Sequence, residues 1–252
     1  MKEKPTTLPQ ENGSINTRNQ EQDGPNTDNE NASTSELKSL VVYSKFIFVP
    51  GDTQLFFDDF SNDYSGDFPA KWNTYAGGEI VQLSGSNQKW FELKMSSYFI
   101  PDVPSPPKKY TIEFDVLTTG LNRQTSSQAK LDINLDESNA FGYGNNAVYT
   151  YLQFCQYAAI RLRMSSQSDG KELADNTIAV GVRKTILSST HISVTVNNTR
   201  FRLWINESKY MDVPRLVPSN KINSLKFEPV GFKDRKERLF ITNVKVIQGG
   251  ST

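Results

Sequence analysis

One cysteine and one histidine in 252 residues set the first limits on what this chain does. The single Cys155 excludes an intrachain disulfide and any multi-cysteine metal site. The single His191 excludes a histidine-rich zinc centre within the chain and thins the nucleophile–base pairings of hydrolytic enzymes. An excess of charge is missing too. Twenty-eight basic residues balance 28 acidic ones, so no global field recruits nucleic acid or an anionic membrane, and nucleic acid is not an expected partner. No apolar run approaches the about 18 residues of a membrane-spanning helix, so no transmembrane segment is expected. The opening MKEKPTTLPQ carries no apolar signal-peptide core, which leaves a cytoplasmic location or a targeting segment already removed. Residues 1–40 contain no aromatic residue and are rich in Asn, Gln, Glu, Ser, Thr and Pro. Such a stretch buries too little apolar area to offset an ordering cost of roughly 1–2 kcal/mol per residue. The expectation for 1–40 is a disordered polar linker, with at most a helical turn at Ser35–Leu40.

From Val41 the character changes, and 41–250 reads as the folded part. The clearest stretch is THISVTVNNTRFRLWINESKYMDV, Thr190–Val213. Ile192, Val194 and Val196 alternate with polar residues, as do Phe201, Leu203 and Ile205, the period-two pattern of strands with one buried face. Asn tolerates the positive φ of a tight loop, so Asn197-Asn198 is the expected turn, pairing Val196 with Thr199, Val194 with Phe201 and Ile192 with Leu203. Further strand-like runs are Val41–Phe48, Leu55–Ser61, Glu79–Leu83, Trp90–Met95, Tyr98–Ile100, Tyr110–Leu117, Lys130–Asp136, Val148–Phe154, Ala158–Met164, Ile178–Arg183, Ile222–Glu228 and Leu239–Ile247. No helical period persists for three turns, and no internal repeat is visible. Many short strands with turn-rich spacers predict an all-β, two-sheet antiparallel β-sandwich of jelly-roll type.

TIEFDV (Thr111–Val116), followed by the Thr190–Val213 hairpin, resembles the concanavalin-like/laminin-G-like jelly roll. YSKFIFVPGDTQLFFDDFSNDYSGDFPAKWNT (Tyr43–Thr74), with GGEIVQL (Gly77–Leu83), is similar to the sandwich region of gram-negative envelope proteins that end in an outer-membrane-protein-A-type domain. The resemblance covers Tyr43 to about Ile247. It implies an extracytoplasmic setting, periplasmic or outer-membrane-associated, and a glycan or an envelope protein as partner. The chain stops at QGGST before any peptidoglycan-binding domain, so peptidoglycan binding is not carried over.

Glu113 and Asp115 fall on one strand face, the first two carboxylates of the E-x-D-x-E pattern with which laminarinase-type glycoside hydrolases hold a nucleophile and an acid roughly 5–5.5 Å apart. Enzymes of this sandwich fold place a third carboxylate two or three residues further on, where this chain has Leu117 and Thr118; it is therefore not expected to be an enzyme. Asp132-Ile133-Asn134-Leu135-Asp136 matches the start of an EF-hand loop but fails it, with Glu137 in the glycine position and Tyr143 in place of the final glutamate. No cofactor is expected, and only a calcium site of another build stays open. Read as a strand, this segment points Ile133 and Leu135 to the core and Asp132, Asn134 and Asp136 to the opposite face. Continued onto later strands, that face collects Tyr149, Tyr151, Arg161 and Arg163. Carboxylates, an amide, tyrosines and arginines suit sugar hydroxyls and the C–H faces of sugar rings; cross-strand ion pairing on a solvated sheet is the plainer alternative. His191, with no acid motif beside it in sequence, reads as a rim residue. Trp204 faces away from Leu203 and Ile205 and is expected under a loop such as PDVPSPP. Two functions fit: a non-catalytic module recognising a glycan or envelope polymer, or a scaffolding protein docking onto a protein partner.

Overall fold

Fifteen strands run through the residues that the structure, a computed structural model, describes: 47–121, 128–154, 162–178, 182, 187–218, 220–233 and 236–250. They are β1 (Thr53–Asp58), β2 (Trp72–Asn73), β3 (Gly78–Gln82), β4 (Lys89–Leu93), β5 (Ile100–Pro101), β6 (Lys109–Thr119), β7 (Lys130–Asp136) and β8 (Ala147–Gln153). The rest are β9 (Leu162–Ser168), β10 (Lys171–Ile178), β11 (Thr190–Asn197), β12 (Arg200–Ile205), β13 (Ser208–Val213), β14 (Ser224–Val230) and β15 (Arg238–Gln248). The described residues contain no helix, hence none that is long and apolar enough to cross a membrane. The expected linker 1–40, the strand-like run 41–46, Cys155 and Arg161 lie outside the described residues.

An eight-stranded sheet has the order β13-β12-β11-β6-β15-β4-β3, with β1 pairing β15 off that path. A five-stranded sheet runs β10-β9-β8-β7-β14, and all pairings are antiparallel. Alternation decides which side of each strand is buried. Tyr110, Ile112, Phe114 and Val116 of β6 and Leu131, Ile133 and Leu135 of β7 all join the core between the sheets. There the rings of Phe114 from β6 and Phe227 from β14 meet edge-on at 5.1 Å. Burying each such side chain contributes roughly 1.5–3 kcal/mol, and this shared apolar layer holds the two sheets face to face.

The all-β antiparallel sandwich is as expected; a third, two-stranded ladder, β2 with β5, is additional. The hairpin differs by one step. Asn197 pairs with Arg200, Val196 with Phe201, Val194 with Leu203 and Ile192 with Ile205, so the loop is Asn198-Thr199, with Asn198 at φ 56°. Both registers keep the same residues on the core face, so the apolar pattern does not choose between them. Bonds from outside the hairpin accompany the observed register: Asn198 N–H donates to Lys108 O, and Thr199 O accepts from Leu216 and Val217. Strand β10 escapes sequence reading because it is an exposed edge with no apolar alternation. Of the expected run Ile178–Arg183, Ile178 is the last residue of β10 and Val182 is outside any strand; 179–181 and 183 lie outside the described residues. Ile47 and Phe48 are not in a strand either. Phe48 instead covers Trp204, centroids 5.5 Å apart, where PDVPSPP was expected.

Candidate functional site

Strands β7, β8 and β9 are neighbours, so the predicted stripe forms rows across the five-stranded sheet. Asp132 faces Tyr151, which faces Arg163; Asn134 faces Tyr149, and Asp136 faces Ala147. Six of the seven predicted residues therefore share the outer face of one sheet, and Arg161 is the one outside the described residues. The expectation of an open face is corrected at its acidic end. Asp132 and Asn134 are 1% exposed and Asp136 is 0% exposed.

The cover is the loop 137–146, and its clasp is Lys226 of β14, which sits opposite Asn134. The buried Lys226 ammonium donates to the carbonyls of Ala140 and Gly142, both at 2.8 Å, and lies 3.4 Å from Asp136 Oδ2. Burial lowers the Lys226 pKa, against the pull of Asp136. The Asp136 carboxylate also accepts from the backbone N–H of Ser138 and of Gly144, each at 3.1 Å. A Cβ at Gly144 would stand 2.6 Å from Asp136 Oδ1, so a side chain there would have to displace the carboxylate.

The remaining stripe residues bond groups outside the stripe, apart from Asn134, which bonds none. Lys130 donates to Asp132 Oδ2, while Asp132 Oδ1 is buried and makes no hydrogen bond. Burial outweighs that ion pair and pushes the Asp132 pKa up to about 7. Neither amide atom of buried Asn134 is bonded. The Tyr151 ring lies under Lys130 Nζ at 3.9 Å and near Arg163, which grips Asp175 with two bonds of 3.1 and 2.7 Å. Tyr149 Oη accepts from Gln167.

Besides Arg163, what stays open to solvent here is aromatic. Tyr143, 59% exposed, stands edge-on to Tyr149 at 5.2 Å and to Tyr98 at 5.7 Å, and its hydroxyl donates to Glu228. Tyr98 leads to exposed Tyr75 at 6.3 Å, and Tyr75 to exposed Phe141 at 5.1 Å. This ridge was missed in the sequence because Tyr75, Phe141 and Tyr143 sit in loops, without periodicity. Its one signal is FGYG, two rings among glycines in an otherwise polar loop.

On the outer face of the eight-stranded sheet, β11 pairs with β6 so that His191 faces Asp115. His191 is not the solitary rim residue expected: Nδ1 is 2.7 Å from Asp115 and Nε2 is 3.2 Å from Glu113. Asn243 donates to the other Asp115 oxygen at 2.6 Å. The bonds to Asp115 and then Glu113 raise the His191 pKa to about 9 despite burial, so the ring is cationic at neutral pH. Both carboxylates of the hydrolase-like pair are thereby engaged by one imidazolium.

A calcium ion does not fit the Asp132–Asp136 strand. Two ammonium groups, Lys130 on Asp132 and Lys226 on Asp136, already supply the positive charge there, and a divalent cation would be repelled by both. Among the described residues, no group of three or more His, Cys, Asp or Glu side chains is arranged to hold a metal.

No family model and no curated protein matches this chain. Solved structures do. A protein of unknown function from Bacillus subtilis with a galectin-like fold aligns over 79% of this chain and 98% of its own, at TM-score 0.55 and 9% identity. The fold here is galectin-like. The metal-free carbohydrate recognition domain of Emp46p aligns over 71% and 89%, with TM-score 0.51 and 13% identity. Domain 4 of AbnA, an extracellular arabinanase from Geobacillus stearothermophilus solved with arabinotriose, aligns over 80% and 95%, with TM-score 0.50 and 14% identity. At these identities the likeness is one of fold. The chain spans about half the length of the toxin binding domains that it also matches, 49% and 48% of two of them.

Proposed function

We propose that this chain is a non-catalytic glycan-binding module working outside the cytoplasm, with the ligand lying along the tyrosines on the outer face of the five-stranded sheet. The observation that carries this reading is the run Tyr143–Tyr149, exposed at one end and continued by Tyr151 on the same sheet face. Tyrosine rings offer the C–H faces of sugars a flat apolar surface, and hydroxyl, amide and guanidinium groups beside them bond sugar hydroxyls. Gln167 and Arg163 stand next to these rings in that role. Two proteins of like fold are a carbohydrate recognition domain and an arabinanase domain bound to arabinotriose, which makes sugar the first ligand class to test.

The non-catalytic part rests on Glu113 and Asp115. Position 117 or 118 lacks a carboxylate, and His191 takes up the pair that a two-carboxylate mechanism needs free. The extracytoplasmic part rests on the resemblance of Tyr43–Thr74 to envelope sandwich regions, with the polar stretch 1–40 as a spacer; cell fractionation tests it, and recovery of the native protein in the cytosol would overturn it.

A glycan array with a thermal-shift readout tests the ligand. A stabilising sugar whose effect is lost in Tyr149→Ala and Tyr151→Ala is the expected result. Binding left unchanged by both substitutions sinks the site. Silence across all glycans, with an envelope protein co-purifying, replaces the reading by protein docking.

A further inference from the structure

The two-stranded ladder β2–β5 and the loop 137–146 together line a cleft of about 270 Å³. Trp72 and Pro101, paired in the ladder, belong to its wall, and Asn73, Asp102 and Asn139 complete it with polar groups. Lys71 also lines it but is engaged, donating to Phe57 O at 2.9 Å and lying 3.7 Å from Asp58. Asn73, Asp102 and Asn139 are all exposed, and their side chains make no hydrogen bond to any described residue. Three uncommitted polar side chains around one concavity are unlike the stripe on β7–β9, where nearly every charged group has a partner.

Each amide comes with a ring two residues on, Tyr75 after Asn73 and Phe141 after Asn139, and the two rings meet edge-on at 5.1 Å. Both rings are held in place before any ligand arrives. The Tyr75 hydroxyl donates to Ser96 O at 2.9 Å. The carbonyls on either side of Phe141, those of Ala140 and Gly142, are gripped by the buried Lys226 ammonium. Holding both partners in advance reduces the ordering cost of binding.

We infer that this cleft is the specificity pocket of the module and takes one terminal unit of a neutral oligosaccharide. The unit's apolar ring face lies against the Trp72–Pro101 wall, its hydroxyls bond Asn73, Asn139 and Asp102, and Tyr75 and Phe141, outside the cleft lining, carry the next unit of the chain. An amide offers a donor and an acceptor in one plane and a carboxylate accepts only, a set that matches neighbouring hydroxyls. With Lys71 engaged, the cleft's free charge is the Asp102 carboxylate, which disfavours anionic sugars. At about 270 Å³ the cleft lies just below the usual range of small-molecule pockets, of the order of 300–1,000 Å³, so one sugar unit enters and the rest follows the ridge toward Tyr143 and Tyr149. This inference rests on the glycan-binding reading and adds to it where recognition is decided and what sign of charge is refused.

The test is an NMR titration of the ¹⁵N-labelled full chain with arabinose, galactose, mannose and glucose and their short oligomers, with sialyllactose as the anionic control. The expected result is that one neutral series shifts the side-chain amide signals of Asn73 and Asn139. Asn73→Ala, Asn139→Ala and Phe141→Ala, all at exposed positions, are each expected to weaken that sugar roughly tenfold, the equivalent of about 1.4 kcal/mol, with unchanged melting temperature. Shifts confined to the surroundings of Tyr149 and Tyr151 overturn the cleft and leave the glycan reading standing. No shift with any neutral sugar overturns both. Sialyllactose binding as tightly as the preferred neutral series overturns the neutral preference.

Discussion

The outer faces of the two sheets answer the same electrostatic problem in different ways. Each holds a pair of carboxylates on one strand, Glu113 and Asp115 two residues apart on β6, Asp132 and Asp136 four residues apart on β7. On the larger sheet a single His191, 40% exposed at its side chain, bonds both acids, and water still reaches the group. On the smaller sheet Lys226 and Asp136 are sealed beneath the loop 137–146, with side chains 1% and 0% exposed. The first pairing is cheap to form and cheap to lose, because solvent screens it. The second cannot be lost by halves, because each ion left alone would be buried without a counter-charge. The same two chemistries, carboxylate and cation, thus give a trimming of the surface on one side and a fastening of the fold on the other.

Removing the fastening is expected to have the largest effect. Lys226→Met leaves Asp136 without its cation and frees the carbonyls of Ala140 and Gly142, a loss of about 3–5 kcal/mol; urea unfolding measures it, and adding Asp136→Asn is expected to recover part of it. Asp132 comes next, with the opposite sign. Its pKa of about 7 lies above the unfolded value of 3.8, so the folded state holds the proton more tightly and stability falls as pH rises through that window. Asp132→Asn is therefore expected to stabilise the protein above pH 7, by about 1–3 kcal/mol, and to gain nothing below pH 3.8. Melting curves across pH check both ends. His191 gives a smaller effect. Its pKa is raised from 6.5 to about 9, so its contribution is complete below 6.5 and disappears as pH rises through 9. His191→Gln is expected to cost less than about 1 kcal/mol and to melt with the parent protein at high pH. Calcium is expected to do least: neither the ion nor a chelator should move the melting temperature, and a shift of several degrees with calcium alone would show that the ammonium groups of Lys130 and Lys226 do not fill the cation's role.

Much of the sandwich was legible because strand alternation is local. Lys130–Asp136 is β7 to the residue, and Tyr110–Leu117 lies wholly within β6. The same locality placed Asp132, Asn134, Tyr149, Tyr151 and Arg163 on one side of their strands. What covers that side was not legible, because the loop 137–146 is closed by Lys226, more than 80 positions away from the carbonyls it holds. Nor could alternation bring His191 to Asp115, since that depends on the β6–β11 register. The aromatic ridge stayed hidden for a third reason. Tyr75, Phe141 and Tyr143 are positioned by hydrogen bonds and ring contacts between loops, which leave no period in the chain.

One extra residue shapes the middle of the larger sheet. Between Thr242 and Lys245 of β15 the register slips against β6, and Asn243 takes φ 52°. Before this point Leu239 and Ile241 point inward; after it Val244 and Val246 do. The strand therefore changes its reading frame from odd to even without leaving the sheet. That frame change turns Asn243 out of the ladder's rhythm and onto Asp115, so the position that corrects the strand's phase also supplies the fourth member of the His191 cluster. A length change of one residue here is not a local edit: it would exchange inside for outside along every later residue of the last strand.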